Sequence, residues 1–150
     1  MAFPTSGLFV PTFISGLDGT IVLDLNVSTH KVALYTNSVT GADLTTDTAY
    51  GVGAWASNEV ASGGGYTTGG NLLVSPTFLH TTLGVVSWDA TDPVWTTSTI
   101  TARGALYYAD ALAGNNAIVA QTFGADIAST GGSFTIVLAA TGIFTIDLVP

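Results

Sequence analysis

The sequence predicts an all-β domain, an antiparallel β-sandwich or Greek-key barrel, with an extended apolar N-terminal arm. Three observations indicate this. Apolar and polar residues alternate with a period of two through much of the chain after residue 20. Residues 140–142, Ala-Thr-Gly, separate two apolar runs in the manner of a tight hairpin. No segment keeps a helical period beyond about two turns. We therefore expect an arm at residues 1–19 and a single β-domain at residues 20–150.

The arm is apolar and is interrupted by proline and glycine. Pro11 is suited to open a short helix that continues to Leu17, because proline at the first helical position loses no hydrogen bond. A run this short is not stable alone, so it lies against its own domain or against a neighbouring subunit. The second alternative makes its apolar side chains the candidate interface residues: Phe3, Leu8, Phe9, Val10, Phe13, Ile14 and Leu17.

The first half of the domain alternates between short strands and polar connections. Two strands are expected first, joined by the turn residues between them, and a polar loop follows. A short strand or helical turn comes next, and then two further strands, the first of which Pro76 directs towards a sheet edge or a bulge. In chain order the expected segments are strands 20–25 and 30–36, loop 37–47, turn or strand 55–60, and strands 71–78 and 83–88.

The second half contains the strongest strand pattern, at residues 96–108, which are rich in Thr, Ile and Tyr. Strict alternation predicts that Ile100, Ala102, Leu106 and Tyr108 share one face of this strand. The remaining strands are expected at residues 117–123, 134–139 and 143–149, the last two forming the hairpin around residues 140–142.

Charge is scarce in this chain. Lys31 and Arg103 are the two basic residues against ten acids, which gives a formal net charge of −8 and a charged fraction of 8%. Soluble domains usually carry about 25% charged residues. Nucleic-acid binding is excluded, since it depends on Lys and Arg neutralising phosphates. A Thr-rich surface with few charges is prone to association unless a partner covers it, which indicates assembly. The alternative is a protein kept soluble by its acids alone.

Targeting and membrane segments are not expected. The first basic residue is Lys31, so the N-terminus lacks the positive region of a secretory signal. The most apolar stretch, residues 134–149, is shorter than the ~20 residues of a membrane-spanning helix and contains Asp147. The chain has no cysteine, which excludes disulfides and thiolate sites.

No residue pattern predicts catalysis, a cofactor or a metal. The glycines of residues 63–70 have no lysine beside them, so they are assigned to turns and not to a phosphate loop. His30 and His80 lack partners at ligand spacing. There is no nucleophile elbow, and nothing selects one pair of acids for glycoside hydrolysis. We therefore expect that the protein is not an enzyme.

Arg103 lies in the middle of the strongest predicted strand. It is either an ordinary surface cation or a partly buried clamp on a carboxylate, in its own chain or in a neighbouring subunit. The candidate carboxylates are Glu59, Asp89 and Asp110.

Two stretches carry a resemblance to a known family. Asn58-Glu59-Val60 precedes Gly65-Tyr66-Thr67-Thr68-Gly69-Gly70, and Trp95 precedes Thr99-Ile100-Thr101-Ala102-Arg103-Gly104. These residues, within a match over residues 20–148, resemble a family of small structural virion proteins of tailed bacteriophages. The family has a charged short helix at its N-terminus where this chain is apolar. The resemblance implies a structural role, transfers no catalytic residue, and leads us to assign structural roles to Glu59, Trp95 and Arg103.

The expected function is therefore that of a capsid decoration (cement) protein on the exterior of the virion head. Its expected partners are the major capsid protein and itself, as a homotrimer, with no nucleic acid and no membrane. One alternative is a tail, baseplate or fibre component with a host- or carbohydrate-binding face, and an unrecognised hydrolase is a third hypothesis. For the host- or carbohydrate-binding face, the candidate aromatic residues for stacking on a sugar are Trp55, Trp88, Trp95, Tyr66, Tyr107 and Tyr108.

Overall fold

A computed structural model describes residues 3–149, so Met1, Ala2 and Pro150 lie outside the described residues. These residues form two antiparallel sheets, one with the strand order β1-β7-β6-β2-β3 and one with the order β4-β5-β8. The all-β class is confirmed, and neither sheet closes into a barrel. The elements are β1 (Gly7–Leu8), α1 (Val10–Leu17), β2 (His30–Tyr35), a 3-10 helix (Gly53–Ala56), β3 (Asn71–Leu72), β4 (Thr77–Thr82), β5 (Val85–Asp89), β6 (Val94–Ala109), β7 (Asn116–Thr135) and β8 (Phe144–Asp147).

The part of the larger sheet around β2 is buried on both faces. On one face, Val32 and Tyr107 join a cluster that includes Trp88 of the smaller sheet, and the Trp88 and Tyr107 rings lie 6.2 Å apart. On the other face, Tyr35 meets Trp55 of the 3-10 helix edge-on, with the ring centroids 5.1 Å apart. The irregular segment between β2 and β3 therefore serves as the outer cover of the sheet, and the smaller sheet forms the second layer of the sandwich.

The long hairpin of β6 and β7 organises this core, and its register is irregular. Ala102 pairs with Ile127, whereas Gly104 pairs with Thr122. An advance of two residues along β6 therefore corresponds to five residues along β7. Such a bulge re-aims the side chains that follow it. The face shared by Ile100 and Ala102 continues through Ala105, Tyr107 and Ala109, while Leu106 and Tyr108 pack in the other cluster. The expectation that Ala102 and Leu106 share a face was therefore wrong.

The N-terminal segment folds onto its own chain and is not an extended arm. Leu8 of β1 pairs with Val119 of β7, and the Phe9 amide donates to the Ile118 carbonyl at 3.0 Å. Pro11 then stands in the first turn of α1, which ends at Leu17 as the helical alternative predicted. The eight-residue helix gains its stability from packing, because a helix of this length is marginal alone.

Residues 20–25 do not form the expected strand. Polar side chains compete there for the backbone, since the Asp18 carboxylate accepts from the Thr20 amide and the Asp24 carboxylate from the Asn26 amide, both at 2.9 Å. These local hydrogen bonds turn the chain instead of extending it. Leu25 is buried all the same, and its carbonyl accepts from Trp88 Nε1 at 2.8 Å.

The turn at residues 139–142 is present, but it does not join two strands of one hairpin. The Gly142 amide donates to the Ala139 carbonyl at 2.8 Å. Before the turn, Phe134 pairs with Trp95 of β6, and after it Phe144 pairs with Trp88 of β5. The segment therefore crosses from the larger sheet to the smaller one.

Candidate functional site

Glu59, the single glutamate of the chain, is the centre of a hydrogen-bond cluster. Its Oε1 accepts from the Tyr66 hydroxyl and from the Gly69 amide, each at 2.6 Å, and its Oε2 accepts from the Tyr50 hydroxyl at 2.7 Å. The ring of Tyr50 stacks on that of Tyr108 at 4.3 Å, and the Tyr108 hydroxyl donates to the Gly69 carbonyl at 2.8 Å. We call this set of five residues the Glu59 cluster.

The hydrogen bonds of the cluster tie together groups from several parts of the chain, and they favour the protonated form of its tyrosines. Burial raises the pKa of Tyr66, and its hydrogen bond to Glu59 raises that pKa further. Burial likewise raises the pKa of Tyr50 and of Tyr108. Tyrosines held this firmly in the protonated form are poor general bases near neutral pH.

The stretches that carry the family resemblance meet in space. Within the first stretch, Glu59 accepts hydrogen bonds from Tyr66 and Gly69. The Thr99 amide of the second stretch donates to the Gly64 carbonyl at 2.7 Å, which ties the glycine-rich turn to β6. The glycine-rich turn is therefore a structural joint between β2 and β6, as its lack of a lysine indicated.

Arg103 forms an ion pair within its own hairpin. Its Nε donates to Asp126 Oδ1 at 2.7 Å, and its Nη1 donates to the Gly124 carbonyl at 2.8 Å. Both groups belong to the irregular part of β7 that causes the register shift. The prediction that Arg103 pairs with Glu59, Asp89 or Asp110 was therefore wrong, because its partner is Asp126. Asp110 instead pairs with Lys31, with Nζ and Oδ2 3.0 Å apart. Both basic residues are therefore paired among the residues described.

Trp95 lies in the core between the two motif regions, with 3% of its surface exposed. Its ring packs edge-on against Phe134, with the centroids 6.0 Å apart, and lies 6.0 Å from the ring of Tyr66. Its Nε1 has no hydrogen-bond partner among the described residues. Trp95 is therefore placed to fill space, which is consistent with the structural role assigned to it.

The seven candidate interface residues divide into three groups by burial. Phe3 and Phe9 are buried in their own chain, 6% and 0% exposed, so they do not serve an interface. Leu8 and Phe13 are half-buried. Val10, Ile14 and Leu17 are exposed, Leu17 to 88%. Within α1, helical geometry explains the difference, since Ile14 and Leu17 are three residues apart and share an exposed face while Phe13 packs inward.

An apolar groove opens beside this helix. Its volume is about 390 Å³, within the range of ~300–1,000 Å³ found for ligand pockets. Leu17 forms part of its wall, and no charged side chain lines it. The lining residues are Phe13, Gly16, Leu17, Leu23, Leu25, Phe78, Val86, Ile146 and Leu148. We refer to this feature as the α1 groove.

More exposed aliphatic side chains extend the apolar surface around the groove. Val22 precedes the lining residue Leu23 and is 83% exposed. Leu83 and Val149 are exposed to 89% and 70%, and the Leu148 amide donates to the carbonyl of Gly84 beside them at 3.0 Å. Sequence reasoning found Phe13 and Leu17 but missed the other residues of this surface, because these positions lie far apart in the chain and only the fold brings them together.

The six candidate stacking aromatics do not form an exposed face. Trp55, Trp88, Trp95, Tyr66, Tyr107 and Tyr108 are each at most 3% exposed. The exposed large apolar residues among residues 3–149 are all aliphatic.

No group of three or more His, Cys, Asp or Glu side chains suited to a metal occurs among the described residues. Within the same residues, no helix has the length and apolar character to cross a membrane.

Comparisons with known proteins return no matching family model, no matching curated protein and no matching solved structure. The α1 groove and its surroundings are therefore the strongest candidate site that the chain itself offers.

Proposed function

We propose that this protein is a structural virion component of a tailed bacteriophage, and that it decorates the exterior of the capsid as a cement protein. The virion assignment rests on the family resemblance, and the structural observation that supports attachment to other protein is the apolar surface formed by the α1 groove and the exposed side chains around it. Leu17, Val22 and Leu83 each expose more than four-fifths of their surface, at 88%, 83% and 89%. Because only 8% of its residues are charged, the chain has few charged side chains to oppose association of this apolar surface with other proteins.

The energetics of such a surface suit attachment to a lattice. Covering a large aliphatic side chain contributes about 1.5–3 kcal/mol. A few such contacts in each subunit give modest affinity, and symmetric copies on a shell would add the benefit of avidity. The negative charge is consistent with a position on the outside of the head, since ten acids would be repelled by packaged DNA. We include the homotrimer in the proposal, and native mass spectrometry of the purified protein tests it.

The tail or fibre alternative receives less support. A carbohydrate-binding face depends on exposed aromatic rings, and the six candidate rings are at most 3% exposed. The hydrolase hypothesis lacks a catalytic constellation in the Glu59 cluster, where the glutamate binds tyrosine hydroxyls and a backbone amide.

The test is the copy number of this chain in purified virions, measured by quantitative mass spectrometry against the major capsid protein. A ratio of about one to one, or one to a few, supports decoration of the whole shell. A handful of copies in each particle would contradict decoration and favour a tail or unique-vertex position. Absence from virions would overturn the structural proposal itself.

A further inference from the structure

We infer that the α1 groove is a docking site for an apolar segment of a partner protein that carries Lys or Arg on either side of its apolar residues. The inference goes beyond the proposed function, because it identifies the site and the chemistry of its occupant for whichever assembly the chain joins. Three lines of observation carry it: the apolar lining, the acids beside it and the pairing of both cations elsewhere.

The lining requires an apolar occupant. Helix α1 forms one wall through Phe13 and Leu17, and the smaller sheet forms the other through Val86 and Ile146. Val86 and Ile146 are register partners, so they present one continuous apolar strip. Since no charged side chain lines the groove, a polar segment placed there would lose its hydration without gaining partners.

The surroundings of the groove are acidic. Asp18 follows the lining residue Leu17, and Asp24 stands between the lining residues Leu23 and Leu25. Asp147 follows the lining residue Ile146 in β8, so strand alternation places it on the opposite face of the smaller sheet. All three acids are exposed. Each accepts hydrogen bonds from groups two residues further on, and none has a cationic partner among the described residues. Complementary charge on the occupant therefore means Lys or Arg next to its apolar residues.

This charge pattern also selects among possible occupants. A second copy of the chain would bring a second Asp18 and a second Asp24 to the interface, and like charges facing each other are unfavourable. Both basic residues are already paired, Lys31 with Asp110 and Arg103 with Asp126, so the chain has no free cation among the described residues to offer itself. An anionic lipid surface would be repelled for the same reason.

The experiment measures fluorescence anisotropy of dye-labelled synthetic peptides with the purified full chain. The first probe has Leu and Val in its centre and Lys at both ends. The second replaces Lys with Glu, and the third replaces the central residues with Ser. We expect the first probe to bind, the other two to bind at least about tenfold more weakly, and higher salt to weaken the first.

Matched variants locate the binding site. Leu17→Asp should weaken binding of the first probe by about tenfold or more, because it places a charge on the wall of the groove. Val137→Asp is the control, since Val137 is 76% exposed and does not line the groove. The double change of Asp18 and Asp24 to Asn keeps each local hydrogen-bond acceptor. It should weaken binding by about three- to tenfold and reduce its salt dependence. Asp147→Asn is its control, because Asp147 lies on the opposite face of the smaller sheet.

Several outcomes would overturn the inference. They are no binding of the first probe, equal binding of the Glu-flanked probe, and equal loss in the two Asp variants. Self-association abolished by Leu17→Asp would assign the groove to a second copy. Binding of the chain to phosphatidylcholine–phosphatidylglycerol vesicles, lost in Leu17→Asp, would assign it to lipid. Virion copy number is measured separately, so failure here and failure of the decoration proposal are distinguishable.

Discussion

Glu59 and Tyr66 are joined by a 2.6 Å hydrogen bond that fixes the glycine-rich turn against the strand pair β2 and β6. The Tyr66 hydroxyl also accepts from the Leu34 amide of β2 at 2.9 Å, so the phenol bridges the carboxylate and the sheet. The same carboxylate holds Tyr50 on its other oxygen at 2.7 Å. One side chain thus connects the cover of the larger sheet with the sheet itself.

Replacing Glu59 should therefore destabilise the fold substantially. Glu59→Ala removes the acceptor of three donors, and hydrogen bonds to a charged group contribute about 1.5–3 kcal/mol each. We expect a loss of about 3 kcal/mol or more in the free energy of unfolding, measured by urea titration. Glu59→Gln keeps one carbonyl oxygen and should lose about 1–2 kcal/mol.

The control is Asp147→Ala, which changes an exposed acid whose hydrogen bond is local. It should change stability by no more than about 0.5 kcal/mol. A Glu59→Ala loss as small as that of the control would show that the cluster does not hold the turn.

Gly70 and Gly131 form a matched pair that separates backbone strain from steric overlap. Both have a positive φ, 71° and 67°. A Cβ on Gly131 would meet nothing within 4 Å, whereas a Cβ on Gly70 would overlap the carbonyl of Val32. Gly131→Ala should cost about 1–2 kcal/mol from the left-handed conformation alone.

Gly70→Ala should cost at least about 2 kcal/mol more, or prevent folding, because the backbone of β2 cannot move aside cheaply. Thermal and urea unfolding of the two variants provide the comparison. Equal losses would mean that the close approach of Gly70 to β2 is unimportant for stability.

Acid should destabilise the protein first through His30. This residue is 3% exposed, its Nε2 lies 2.7 Å from the Asp24 carbonyl, and its Nδ1 has no partner among the described residues. Burial lowers its pKa below the ordinary value of 6.5, an effect that the Asp24 carbonyl only partly opposes. The unfolded chain therefore takes up the proton first, and stability falls as the pH drops below about 6.5.

The measurement is the free energy of unfolding between pH 7 and pH 5. The slope should approach, but not exceed, about 1.4 kcal/mol per pH unit for one group, and His30→Gln should flatten it. The lowered pKa values of Asp18 and Asp43, caused by hydrogen bonds from Thr20 and Thr45, act only near and below their ordinary value of 3.8. An unchanged slope in His30→Gln would refute the assignment to this residue.

The sequence predicted the class and several elements, and the physical reasons for its failures are specific. Alternation identified β2 and β6, because both strands are buried and regular over several residues. It failed on the faces of β6 after Ala102, because the alternation of β6 itself changes phase between Ala102 and Ala105, where the pairing with β7 is irregular. Pairing irregularities of this kind depend on both strands and leave little signal in one.

The candidate site was predictable only in part. The exposure of Leu17 follows from a short helix packed on one side, whereas the α1 groove needs Leu23, Val86 and Ile146 from three separate segments. Their convergence is a tertiary property. The resemblance assigned a structural role to Glu59, but the three groups that donate to its carboxylate became visible only in the fold.

Trp88 and Trp95 allow a final comparison, because they are similarly buried but differ in hydrogen bonding. Trp88 is 0% exposed and Trp95 is 3% exposed. Trp88 Nε1 donates to the Leu25 carbonyl at 2.8 Å, whereas Trp95 Nε1 has no partner among the described residues. Changing either residue to Phe leaves a comparable cavity, but only Trp88→Phe leaves a carbonyl without its donor.

Trp88→Phe should therefore lose about 1 kcal/mol more stability than Trp95→Phe in urea unfolding followed by circular dichroism. The Leu25 carbonyl lies in the segment that did not become a strand, so this bond is what attaches residues 20–25 to the smaller sheet. If Trp95→Phe proves the more costly change, shape complementarity around Trp95 outweighs the hydrogen bond of Trp88. The attachment of residues 20–25 would then rest on the burial of Leu25.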